Sequence, residues 1–220
     1  MVTATNLTTG SASSGTSANT ASISPSGNKL IIVTVANYKS GTANTPTVSG
    51  DGLTFVQIQT TSGQSGTWKI TMFRAMVASP SSGALTIDFG GNNQAAGIHW
   101  TVDQFDNVKT TGANGADAVV QSAIGTGGGS STGLTVTLGA FANLLNATYG
   151  AVNAQATISP GSGFSEISEI GGVPTNGILE SEFKDTNDTS VDWTWSSASY
   201  GNGIAIEIAF QAPGAFFLLF

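Results

Sequence analysis

Few residues in this chain have the type and spacing to do chemistry. His99 is the single histidine. Serines and aspartates are plentiful, so a Ser-His-Asp arrangement is formally available. No Gly-x-Ser-x-Gly turn is present to lift a serine out between a strand and a helix, and a triad is defined by geometry rather than by spacing. Glu180 and Glu182 stand two apart in an extended stretch, Leu179-Glu180-Ser181-Glu182-Phe183, and so share a face. Paired carboxyls roughly 5–5.5 Å apart serve retaining glycoside hydrolysis, and roughly 6.5–9.5 Å inverting hydrolysis. The stretch lacks the aromatic neighbours of a sugar groove. The favoured reading is an edge strand blunted by charge.

Asp185, Asn187, Asp188 and Asp192 offer hard oxygen ligands within one loop, which suits a weak calcium site. The glycine and terminal glutamate of an EF-hand loop are missing, and Asn and Asp are also ordinary hairpin residues. No other cofactor is implied. Trp68, Trp100, Trp193 and Trp195 could form a stacking platform for a cell-surface glycan, but tryptophans at strand spacing more often build a core. Sequons occur at Asn6, Asn146 and Asn187.

The elements that must position these residues are strands. Hydrophobic residues make up 40% of the 220 residues and charged residues 9%, a charge content too low for a helical bundle or a disordered chain. Leu30–Ala36 is a β-branched, nearly continuous run, as expected of a strand buried on both faces. Trp68, Ile70, Met72 and Met76 share a face, as do Ile98, Trp100 and Val102, with His99, Thr101 and Asp103 opposite. Val191, Trp193 and Trp195 share a face in one strand; Ile204, Ile206, Ile208 and Phe210 do so in the next, with Glu207 exposed. Asn107 to Gly133 reads as a long Gly-rich loop broken at Ala118-Val119-Val120. The expected fold is an all-β, antiparallel, jelly-roll-like β-sandwich of about ten strands. Residues 1–23 form an N-terminal arm or edge strand, 24–211 the sandwich, and 212–220 an apolar tail.

The net charge is −7, and seven of the 13 acidic residues fall between Glu166 and Asp192. The six bases are scattered, so no basic stripe marks a nucleic-acid partner. There is no cysteine, which excludes disulfides and mildly favours assembly in a reducing cytoplasm. The N-terminus lacks the features of a signal peptide. No apolar run approaches the roughly 20 residues that span a bilayer, so no membrane partner is expected. The tail is different: Phe216, Phe217, Leu218, Leu219 and Phe220 are apolar without interruption after Pro213-Gly214. Such a patch marks an interface, and an assembly contact is expected there.

The order of features from Ser24 to Gln211 resembles a β-sandwich module that recurs in tailed-phage virion proteins and some bacterial surface proteins. The resemblance is carried by Gly27-Asn28-Lys29-Leu30-Ile31-Ile32 and Gly52-Leu53-Thr54-Phe55. It continues in Gln104-Phe105-Asp106-Asn107-Val108 with Ala116-Asp117-Ala118, then Ala142-Asn143-Leu144-Leu145 and Gly203-Ile204-Ala205-Ile206. It implies a non-enzymatic structural protein of a virion, made in the host cytoplasm. Such a protein is a decoration, fibre or tail subunit that forms a homo-oligomer or docks on other virion proteins. A carbohydrate-binding or adhesive surface domain is the alternative, and a glycoside hydrolase the remote one.

Overall fold

The computed structural model describes residues 1–172 and 177–211. The chain is an all-β sandwich, with fifteen strands among the described residues against the ten expected from spacing. The excess comes from short pieces such as β5 (Leu53–Thr54), β8 (Thr86–Asp88) and β12 (Ile158–Pro160), and from strands where loops were expected.

The first half of the chain builds one main sheet. Its order is β1 (Thr3–Ala12), β9 (Ile98–Asp106), β3 (Leu30–Tyr38), β7 (Trp68–Ala75) and β6 (Val56–Gly63), all antiparallel. The N-terminal segment is therefore an edge strand. β3 lies at the centre and every residue of it is buried, as its continuous apolar run predicts. The outer face of this sheet is covered by a smaller one, β2 (Ser17–Asn19), β8, β4 (Thr47–Gly50) and β5. Ile31, Val33, Val35, Phe73, Ile87, Ile98, Trp100 and Val102 pack between them.

The second half builds the opposing sheet. Its order is β10 (Val119–Thr137), β15 (Ser190–Ile208), β11 (Ala147–Ala154), β14 (Ile178–Lys184) and β13 (Ser165–Gly171), with β12 paired to β15. The two main sheets face each other, with β1 over β13 and β6 over β10. Leu30, Ile32, Ile70, Met72, Phe105, Tyr149, Ile204 and Ile206 fill the space between. Each such side chain contributes about 1.5–3 kcal/mol by leaving water.

The expected loop at Asn107–Gly133 is instead a short 3-10 stretch (Ala113–Ala118) leading into the 19-residue β10. β15 is equally long and joins what pattern reading separates into two strands, since Val191, Trp193 and Trp195 lie on the same element as Ile204–Ile208. The two pair along their length as a ribbon. Trp193 and Gly203 are ten positions apart, which is roughly 33 Å along a straight strand. Yet a Cβ on Gly203 would lie 3.3 Å from the Trp193 ring, and one on Gly125 would lie 2.9 Å from Val136. The ribbon therefore folds back on itself. Its crease falls where the register breaks, around Gly127 to Gly133, in a run with few side chains to obstruct it. The folded-over end lays Val136, Val191, Trp193 and Trp195 onto Val152, Ala154 and Ala205 and forms a further apolar layer.

Candidate functional site

Two groups of titratable side chains stand out; the first is enclosed, and in the second Glu180 and Glu182 are enclosed while Glu166 and Glu169 are exposed. The first lies between the main sheets. Alternation along β9 turns His99, Thr101 and Asp103 to one face, as expected, but that face points into the sandwich and all three are at most 1% exposed. Tyr149 on β11 donates its hydroxyl to Asp103 Oδ2 at 2.8 Å, and Asn6 on β1 donates Nδ2 to Asp103 Oδ1 at 2.8 Å. Thr101 Oγ1 lies 3.2 Å from both carboxylate oxygens and 2.9 Å from Ser168 Oγ. Ser168 Oγ in turn lies 3.0 Å from Ser181 Oγ. A second chain runs from the Tyr38 hydroxyl, 3.3 Å from His99 Nδ1, to Asn153 Oδ1 at 3.1 Å; Asn153 Nδ2 then reaches Asn202 Oδ1 at 2.8 Å.

Burial raises the pKa of Asp103, opposed by the hydrogen bonds of Asn6, Tyr149, Ser181 and Thr101. Burial, then the neighbouring Asp103 charge, holds the Tyr149 phenol up as well. This seam joins the sheets and fixes their register, as a satisfied buried polar network does. His99 itself is 0% exposed among the described residues. The serines near it, Ser168 and Ser181, bond each other and Thr101 rather than the histidine. The arrangement is not a triad.

The second group is the glutamates. β14 is an interior strand between β11 and β13, so the expected charged edge is wrong: Glu180 and Glu182 are 0% exposed. Their partners across the ladder are Glu169 and Glu166. Strict alternation would put Glu166 and Glu169, three apart, on opposite faces. The register shift between Glu166 and Ser168 brings both beside the β14 pair. Glu182 Oε2 accepts the Gly161 N–H at 2.8 Å, and Glu169 Oε2 accepts the Ile158 N–H at 3.2 Å. Both oxygens of Glu180 and Oε1 of Glu182 have no hydrogen-bond partner among the described residues. Burial, then the charges of Glu166 and Glu169, pushes Glu180 up to about 8. Burial pushes Glu182 up to about 9, against the lowering effect of the Gly161 N–H. The pair is closed to a polysaccharide.

The acidic loop does not converge on one point. Asp188 Oδ2 accepts from Lys184 at 2.6 Å and Asp188 Oδ1 from the Ser190 N–H at 2.9 Å. Asp192 Oδ1 accepts from Thr135 at 2.6 Å, with Ser190 also donating. Asp185 is exposed and Asn187 half-buried. Among the described residues no three His, Asp or Glu side chains are grouped to hold a metal ion.

All four tryptophans are core, at 1–5% exposure, and none offers a sugar a free ring face. Glu207, expected on the surface, is 1% exposed and takes hydrogen bonds from Gln121 and Asn146, both at 2.5 Å. That bond also buries the Asn146 sequon, while Asn6 is held in the seam. The tail residues Phe216, Phe217, Leu218, Leu219 and Phe220 lie outside the described residues.

Open clefts lie elsewhere. One of about 410 Å³ is lined by Val2, Ala4, Ser165, Phe183, Lys184 and Asp185. Another of about 250 Å³ is lined by Tyr38, Lys39, Gln64, Thr67, Trp68 and Gln155. Neither includes His99, Glu180 or Glu182. No protein-family model, curated protein or solved structure matches the chain.

Sequence reasoning missed the Asp103–Tyr149 bond, the Asn153–Asn202 pair and the Glu166/Glu169 contribution. The polar face of β9 was a usable signal. The bulge that gathers four glutamates leaves none.

Proposed function

We propose that this chain is a non-enzymatic structural subunit of a tailed-phage virion, a decoration, fibre or tail component. In this reading it self-associates or docks on another virion protein. The observation that carries the non-enzymatic part is the enclosure of the groups suited to acid–base work: His99, Asp103, Glu180 and Glu182 are each 0% exposed. A catalytic acid or base must come within about 2.6–3.2 Å of a substrate proton. Here the surroundings of each are other strands. The virion part rests on the order of sequence motifs from Gly27 to Ile206, together with a multilayered β architecture suited to a rigid building block.

The assembly contact in this reading is Phe216 to Phe220. Sedimentation velocity on the full chain and on a chain ending at Gln211 tests it. The full chain should sediment as an oligomer and the shortened chain as a folded monomer. Equal sedimentation as monomers at micromolar concentration would remove self-association. Failure of both to co-sediment with virion proteins would remove the reading.

A further inference from the structure

We infer that Glu180 and Glu182, with Glu166 and Glu169 opposite them, form a proton-held clasp that fastens the β12 segment to the outer face of the second sheet and loosens in alkaline solution.

The geometry comes first. The ladder places Glu182 against Glu166 and Glu180 against Glu169, so four carboxyls occupy one patch of the β13–β14 pair. Glu180 and Glu182 are wholly buried while Glu166 and Glu169 are exposed, and three of the four buried oxygens have no partner among the described residues. Unpaired buried carboxylates are too costly to persist, so such groups take up protons or a counter-ion. The charges of Asp188 and Asp192 act on Glu182 from beyond β14, and Lys184 stands at the end of β14 itself. Lys184, the only cation among them, is already bonded to Asp188 at 2.6 Å. On the β11 side, Glu180 and Glu182 stand beside Val152 and Gly150, which carry no charge.

The segment held by this patch is β12 and the turn after it. β12 is three residues long and, among the described residues, its strand pairing is with Trp193–Trp195 of β15. It is also held by the buried Ile158 side chain, which packs with Trp193 and Trp195, and by the Ser196 N–H donated to the Thr157 carbonyl; toward the glutamates its ties are the Ile158 and Gly161 amides, donated to Glu169 and Glu182. Ionisation would strengthen those two bonds. It would also set a buried charge directly opposite a like charge in each pair, which destabilises a ladder, with the β14 member of each pair shut away from water.

The direction follows from linkage. The folded values are raised, to about 8 for Glu180 and about 9 for Glu182, against 4.5 for the free side chain. The folded chain therefore holds more protons than the unfolded one between these limits. Its stability is fully present below about 4.5, falls as pH rises, and levels off once both carboxyls are ionised.

The test is thermal unfolding of the full chain from pH 5 to pH 10, followed by circular dichroism and tryptophan fluorescence. Glu180→Gln, Glu182→Gln and the double variant are measured alongside. The melting temperature of the unaltered chain should fall by on the order of 10 °C or more between pH 5 and pH 9. The double variant, neutral and nearly isosteric, should lose at least half of that fall and melt higher at pH 9. Superimposable profiles would overturn the inference. So would restoration at pH 9 by millimolar calcium chloride, reversed by a chelator, since the patch would then hold a cation. Should the variants fail to fold, infrared spectra of the unaltered chain decide. A protonated-carboxyl band present at pH 7 and lost by pH 10 supports the clasp, and its absence at pH 7 overturns it.

Discussion

The Tyr149 hydroxyl reaches across the sandwich to Asp103 Oδ2 at 2.8 Å, tying a strand of one main sheet to a strand of the other. Asp103 is 0% exposed, so each donor it has is needed. Tyr149→Phe should lower the stability of the fold by about 1–3 kcal/mol, because it leaves a buried acceptor short of a partner. Urea unfolding measures this. A double-mutant cycle with Asp103→Asn should show non-additivity, and strict additivity would mean that the two side chains are not coupled.

Trp193 anchors the folded-over ribbon. Its ring sits against Gly150, where a Cβ would fall 2.5 Å from a ring carbon. Trp193→Ala should cost about 3–5 kcal/mol, and Gly150→Val should also be destabilising because the ring has no room to retreat. Denaturant midpoints check both. A loss below about 1 kcal/mol for Trp193→Ala would place the ring in solvent.

Glu207 is held by two amides in an otherwise closed position. Asn146→Ala should cost about 1–3 kcal/mol, because it leaves a buried acceptor short of a partner. The same bond makes Asn146 a poor glycan acceptor in the folded chain. Mass spectrometry after expression in a glycosylating host should find no glycan on Asn146.

Hydrolysis is a further check. A panel of polysaccharides and esters incubated with the full chain should give no turnover. Turnover abolished by Glu180→Gln or Glu182→Gln would make the glutamates catalytic and displace the structural reading.

The periodic parts of the fold were legible in the sequence. The run Leu30–Ala36 announced a central strand, and the two faces of Trp68–Ala75 separate into two different cores as alternation requires. Burial of Trp193 and Trp195 was also readable; their cross-strand partners are Leu134 and Pro160 for Trp193 and Ile158 for Trp195. Two features escaped for physical reasons. Glycines have no side chain to show a pattern, so the strand through Gly125–Gly133 looked like a loop. Charge on Glu180, Glu182 and Glu207 suggested solvent, because a sequence shows the side chain but not the neighbours that cover it.

The division of strands between halves has a consequence during synthesis. Every strand of the first main sheet and of its covering sheet lies before residue 107, so these can pair while the rest is still being made. The face bearing Leu30, Ile32, Ile70, Met72 and Phe105 then waits for β11 and β15. At translation rates of roughly 5–20 residues per second, that wait is on the order of 5–20 s for the next hundred residues. During that interval a nascent chain at the ribosome presents an unfinished apolar sheet. Binding of a chaperone should peak there and cease once the final strand closes the second sheet.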